Sequence, residues 1–184
     1  MNALSTLAAG LRMNFCYDDA LLVYEASVAT LQRWLPNDES FALRAKNNMA
    51  SCYSNMGLHD QAVRLQREIH TRGVALYGVS DEMVLVCSGC LGISLLACGR
   101  FVEAQTFLRE QVPLIRSRYG SDHNTTLKSV QALAASLSDD PASTRENRLE
   151  AKRLMQDLVE RRVRVYGRTH PTTRESERFL SRCA

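Results

Sequence analysis

A period of 42 residues runs through this 184-residue chain and limits what it can fold into. Ala20, Ala62 and Ala104 recur at that spacing, in Asp18-Asp19-Ala20, Asp60-Gln61-Ala62 and Val102-Glu103-Ala104, and Ala151 follows after 47. A large residue followed by a small one recurs at Leu7-Ala8, Met49-Ala50, Leu91-Gly92, Leu133-Ala134 and Leu180-Ser181. Further apolar positions are Leu11, Tyr53, Leu95 and Leu137, and then Val23, Leu65, Phe107 and Leu154. Each unit closes on Leu35-Pro36, Tyr77-Gly78, Tyr119-Gly120 or Tyr166-Gly167. The extra residues before Ala151 fall in Asp139-Asp140-Pro141-Ala142-Ser143-Thr144, which has turn composition.

Apolar residues at i, i+1 and i+4 form one face of a helix. The small residue lets a second helix approach, and alanine marks the closest crossing on that second helix. Gly57 and Gly99 fit the turn between them, and the Tyr-Gly pairs end the second helix. The expected units are 1–42, 43–84, 85–126 and 127–173, with a terminal helix over 172–183. Each hairpin leaves a face that only a neighbour covers, so the expected fold is all-α, an α-solenoid of stacked antiparallel hairpins in a single repeat domain over 1–184. Pro113 is expected to kink or split the third unit's second helix, because it removes one backbone donor. Ser143-x-x-Glu146 reads as a capping box, and Pro171 as a first helical position. The terminal helix places Phe179, Leu180 and Cys183 on one side, which stays exposed unless it docks.

Nine glycines and four prolines leave little material for an all-β chain. A formal net charge of +3 does not argue for nucleic acid. No stretch approaches the ~18 apolar residues of a membrane span. Arg12 interrupts the apolar start, which argues against a signal peptide. The six cysteines therefore read as reduced thiols of a cytoplasmic chain.

Lys46-x2-Met49-Ala50-x2-Tyr53, then Gly57 and Ala62, resembles the tetratricopeptide repeat pattern. The longer period, with Asn47-Asn48-Met49-Ala50, Gly99-Arg100-Phe101-Val102-Glu103-Ala104 and Tyr166-Gly167-Arg168-Thr169-His170-Pro171-Thr172, is similar to the repeats of kinesin light chain and its relatives. The resemblance spans the chain and implies a protein–protein interaction module, with first helices lining a concave face. By register, that face would present Arg12, Arg44, Asn47, Asn48, Ser51, Asn55, Ile93, Lys128 and Gln131. Asparagine amides both donate and accept, which suits a peptide backbone. Arg12, Arg44 and Lys128 would meet acidic side chains or a terminal carboxylate. Ile93 offers an apolar anchor, or belongs to the core. The competing structural reading has Asn47 and Asn48 bridging adjacent hairpins.

Other constellations point to chemistry less strongly. Cys87-x-x-Cys90 shares a helix face, but lacks a second pair at zinc-site spacing. His123 and His170 occupy one repeat position at a helix start. No phosphate-loop, dinucleotide or serine-hydrolase motif occurs, so neither catalysis nor a cofactor is expected. Residues 145–168 carry eight basic and four acidic side chains. They read as a solvated helix with Asp157–Arg161 and Glu160–Arg164 pairs; an RNA-binding or anion-binding stripe is the alternative. Self-association, as part of a larger array, is the remaining alternative.

Overall fold

The computed structural model describes residues 3–35 and 37–182; Pro36 and Cys183 lie outside the described residues. The described residues form nine helices and no strand: α1 (Ala3–Met13), α2 (Tyr17–Trp34), α3 (Ser40–Asn55), α4 (His59–Tyr77), α5 (Glu82–Ala97), α6 (Phe101–Tyr119), α7 (Asn124–Ser138), α8 (Arg145–Tyr166) and α9 (Pro171–Arg182). The chain divides into two compact units, Met1–Ser94 and Leu95–Ala184.

In the first unit α1 packs on α2, α2 on α3 and α3 on α4. Ala20 and Ala62 are fully buried, as are Ala8 and Ala50 on the first helices. One cluster joins Ala8, Ala20, Tyr24, Ala45 and Cys52. A second joins Leu43, Ile69, Met83, Val84 and Cys87. Gly73 of α4 meets the start of α5 so closely that a Cβ there would lie 2.9 Å from Val84 Cγ2. Two ion pairs tie α4 to the α3 segment, Lys46–Glu68 at 2.9 Å and Arg72–Glu39 at 2.5 Å. Leu7 departs from the expected pattern. Its register partners Leu91 and Leu133 are 3% and 5% exposed, whereas Leu7 is 54% exposed, because no described helix packs over that side of α1.

In the second unit α6 packs on α7, α7 on α8 and α8 on α9. Ala104, Ala134 and Ala151 are fully buried. The expected split at Pro113 does not occur, and α6 is one helix of 19 residues. Pro113 is exposed while Val112 and Ile115 are buried, so the proline ring lies on the outer side of α6. The cap of α8 is Thr144, whose hydroxyl accepts from the Asn147 N–H, and not Ser143. Ser143 is buried and donates instead to the Leu137 carbonyl at the end of α7. Pro171 does open α9. Phe179 is 7% exposed, so the apolar side of that helix is docked on α8.

Glycine at the Tyr-Gly ends is required by the backbone. Gly78, Gly120 and Gly167 take φ between 84° and 87° with ψ between 162° and 164°, a region essentially reserved for glycine.

Two outcomes are expected. Ala62→Leu overpacks the α3–α4 crossing and lowers unfolding stability by about 1–3 kcal/mol, measurable by urea denaturation. Hydrogen bonding from Arg72 holds the Glu39 carboxyl below its usual pKa. That depressed value stabilises the fold above the ordinary carboxylate range, and the contribution is lost as pH falls through the folded pKa. Glu39→Gln therefore flattens the acid limb of a plot of midpoint against pH, and leaves the slope near neutrality unchanged.

Candidate functional site

Arg44, Asn47, Asn48, Ser51 and Asn55 follow one another at i, i+3, i+4, i+7 and i+11, so they occupy one face of α3. The flanks of α3 on either side of that face are committed to the core through Leu43, Ala50 and Cys52. Arg44, Asn47 and Asn48 line a pocket of about 120 Å³ together with Glu82, Met83 and Val86 from the start of α5. The pocket combines a cation, an anion, two amides and two apolar side chains. Arg44 is exposed and forms no ion pair among the described residues.

The two asparagines do not bridge hairpins among the described residues, contrary to the structural expectation. Neither side chain hydrogen-bonds to another described residue. Asn47 is only 8% exposed and its Oδ1 is buried without a partner. A buried amide oxygen left unpaired costs about 1–3 kcal/mol. The packing of α3 against its neighbours therefore retains an unpaired acceptor at the edge of the pocket.

The other sequence candidates are distributed differently. Ser51 is half-buried and its hydroxyl donates to the Asn47 carbonyl within α3. Asn55 is exposed at the end of the helix. Arg12 is half-buried and does not line the pocket; it lies beside Tyr24 and Cys52, with its Nε buried and unpartnered. Burial pushes the Tyr24 phenol up, and the Arg12 guanidinium offsets only part of that. Ile93 is 38% exposed on α5 and so does not belong to the core. Lys128 is exposed and Gln131 half-buried on α7, in the second unit. Sequence reasoning missed Glu82 and Met83 but reaches Val86. Val86 holds the register position of Arg44 one period on, which is the signal that pointed toward it.

The remaining constellations hold the structure together. Cys87 is fully buried, its thiol donates to the Gln66 carbonyl at 3.6 Å, and burial pushes its pKa up, away from the thiolate. His123 stacks on Tyr119 at 4.7 Å and His170 on Tyr166 at 4.9 Å. Each ring Nδ1 accepts a backbone N–H two residues on, from Thr125 and Thr172, and so caps α7 and α9.

Half of the basic side chains in 145–168 are engaged within the second unit. Arg161 pairs with Asp122 and Asp157, both at 2.8 Å. Arg164 approaches Asp122 at 3.7 Å and not the expected Glu160, because Arg161 and Arg164 both face the loop that enters α7. Arg162 is 3% exposed and donates to the Thr172 carbonyl and to Ser176 Oγ, which fastens α9. Arg148 donates to the Ser143 carbonyl. A continuous free basic stripe is thereby broken. No helix of the described residues is long and apolar enough to cross a membrane.

Asn47→Leu keeps the branched shape of the side chain and removes the unpaired oxygen, so the urea midpoint should stay equal or rise. A loss of more than about 1 kcal/mol would instead show a structural role that these contacts do not reveal.

Residues 142–172 match the family model described as Tetratricopeptide repeat. No curated protein matches the sequence. Among solved structures, the chain is similar to the nearly identical TPR-like repeats assigned to a Podosopora anserina kinesin light chain. The TM-score is 0.77 at 21% identity, covering 98% of this chain and 83% of that one. A single-substitution variant of the same repeats gives 0.77 at 22% identity, with the same coverage. BtubC (BKLC) from P. vanneervenii gives 0.79 at 13% identity, covering 98% of this chain and 71% of that one. Residues 142–172 thus match a tetratricopeptide repeat, and the helical architecture of the chain is similar in fold to the TPR-like repeats of those structures.

Proposed function

We propose that this chain is a protein–protein interaction module whose first unit binds an extended peptide in the pocket between α3 and the start of α5. One observation carries the reading: Asn47 and Asn48, whose side chains have no hydrogen-bond partner among the described residues, line one pocket beside an unpaired Arg44. Amides that donate and accept match the alternating groups of a peptide backbone. Arg44 meets a carboxylate of the peptide, and Met83 with Val86 takes an apolar side chain. Glu82, across the same pocket, disfavours a second acid next to the first. Ser51, Asn55 and Ile93 extend the contact along the faces of α3 and α5, and Arg12 is the basic group of α1. Lys128 and Gln131 hold the same register on α7 and serve as the second unit's own contacts. A cytoplasmic setting accords with the free cysteines at Cys16, Cys52, Cys87, Cys90 and Cys98. The pocket residues include no nucleophile with a neighbouring base, so the reading is binding without catalysis.

The test is an array of random ~12-residue peptides, long enough when extended to cross a helix pair. It is probed with wild type, Arg44→Glu and Asn48→Ala, each matched by circular dichroism. Peptides retained by wild type should carry an acid near an apolar residue. Asn48→Ala should weaken them about fivefold or more, and Arg44→Glu more strongly, as expected for lost neutral and charge-assisted hydrogen bonds. Equal binding by all three proteins, or no peptide bound by wild type, would sink the reading.

A further inference from the structure

The second helices carry matching surface positions, and one of them breaks the pattern. By register, Arg64, Glu68 and Thr71 of α4 correspond to Thr106, Glu110 and Pro113 of α6 and to Arg153, Asp157 and Glu160 of α8. Every one of these positions reaches the surface. The corresponding residues of α2 are Leu22, Ala26 and Ala29. Leu22 is 65% exposed, and both alanines are exposed. The core-facing side of α2 is a different one, made of Ala20, Tyr24, Ser27 and Leu31. The hairpin therefore does not require an apolar residue at these outer positions, as α4 demonstrates within the same unit.

Charges bound this apolar face. Asp18 lies one turn before Leu22, and Arg33 one turn after Ala29, on the same side of the helix. Neither forms an ion pair among the described residues. Phe15, 78% exposed, and Trp34, 74% exposed, stand at the two ends of the helix. An acid at one end, a base at the other and small apolar residues between are self-complementary in one arrangement only, an antiparallel pair. A two-fold axis passing between Glu25 and Ala26 sets Asp18 opposite Arg33 of a second copy, twice over. It also sets Leu22 opposite Ala29, large against small. Alanines at the centre allow the axes to approach to about 8–10 Å. Glu25, at the edge of the face near the axis, meets its own copy and keeps the association modest.

We propose that the outward face of α2 is a homodimer interface in which two copies of this chain pair antiparallel through Leu22, Ala26 and Ala29, with Asp18–Arg33 pairs at both ends. The interface is isologous, as expected of a two-fold dimer. It is separate from the α3–α5 pocket.

Sedimentation equilibrium on the full chain at low salt, from ~1 µM to ~500 µM, spans the range of a modest interface. The weight-average mass should rise from 20.6 kDa toward twice that value. A mass that stays at one chain throughout would overturn the proposal. Leu22→Arg/Ala26→Glu/Ala29→Thr installs the α4 residues at the same register positions. It should keep the wild-type circular dichroism spectrum and remain monomeric, and a variant that still dimerises would overturn the proposal. Asp18→Arg and Arg33→Asp alone should each weaken dimerisation about fivefold or more, and the two together should restore it. Single reversals without effect, or a double variant that is not restored, would overturn the antiparallel pairing.

Discussion

The close crossing of two helices at a single alanine is the constraint on which the rest of the structure depends. Ala20, Ala62, Ala104 and Ala151 are each completely buried, one to a second helix. A methyl group at that point sets how near the two backbones come. Once the backbones are that near, the larger residues three positions on, Val23, Leu65, Phe107 and Leu154, fill the flanks and remain half-buried. The connecting turn can stretch while the crossing keeps its contacts. That is why the extra residues before Ala151 fall in the turn at 139–144 and leave the buried alanine in place.

The pocket in the first unit follows from the same geometry. The core takes the flanks of α3, and the start of α5 lies against α3 and α4 through Met83, Val84 and Cys87. Glycine at position 73 lets α5 lie this close. What is left over is the Arg44–Asn48 side of α3, facing Glu82 and Val86. Asn47 stands on the border between core and pocket, which is how an amide becomes buried without finding a partner.

Charge is used differently in the second unit. Asp122, in the turn before α7, gathers Arg161 and Arg164 from α8. Arg162 is buried and pushed down in pKa by desolvation, yet it joins α8 to α9 through neutral acceptors. A sequence count of basic residues treats these side chains as surface. The structure engages half of the basic side chains of 145–168 with neighbouring groups, and so breaks the continuity of a basic stripe.

Much of the fold was legible in the sequence because its determinants are local and periodic. The period, the buried alanines, the glycines at positive φ in Gly57 and Gly99 and the Pro171 start of α9 all depend on residues within one hairpin. So does the sharing of one α3 face by Arg44, Asn47 and Asn48. The features that only the tertiary structure decided depend on what lies across from a residue. Leu7 matches Leu91 in pattern but lacks a helix over it, and Arg12 lies against Tyr24 instead of lining the pocket. Thr144 takes the cap because Ser143 is drawn to the Leu137 carbonyl, and Pro113 is tolerated because its side of α6 meets water. Helix periodicity reports which side of a helix is apolar. It carries no information about which neighbour covers that side, and the neighbour determines whether a polar atom is paired, buried or left for a ligand.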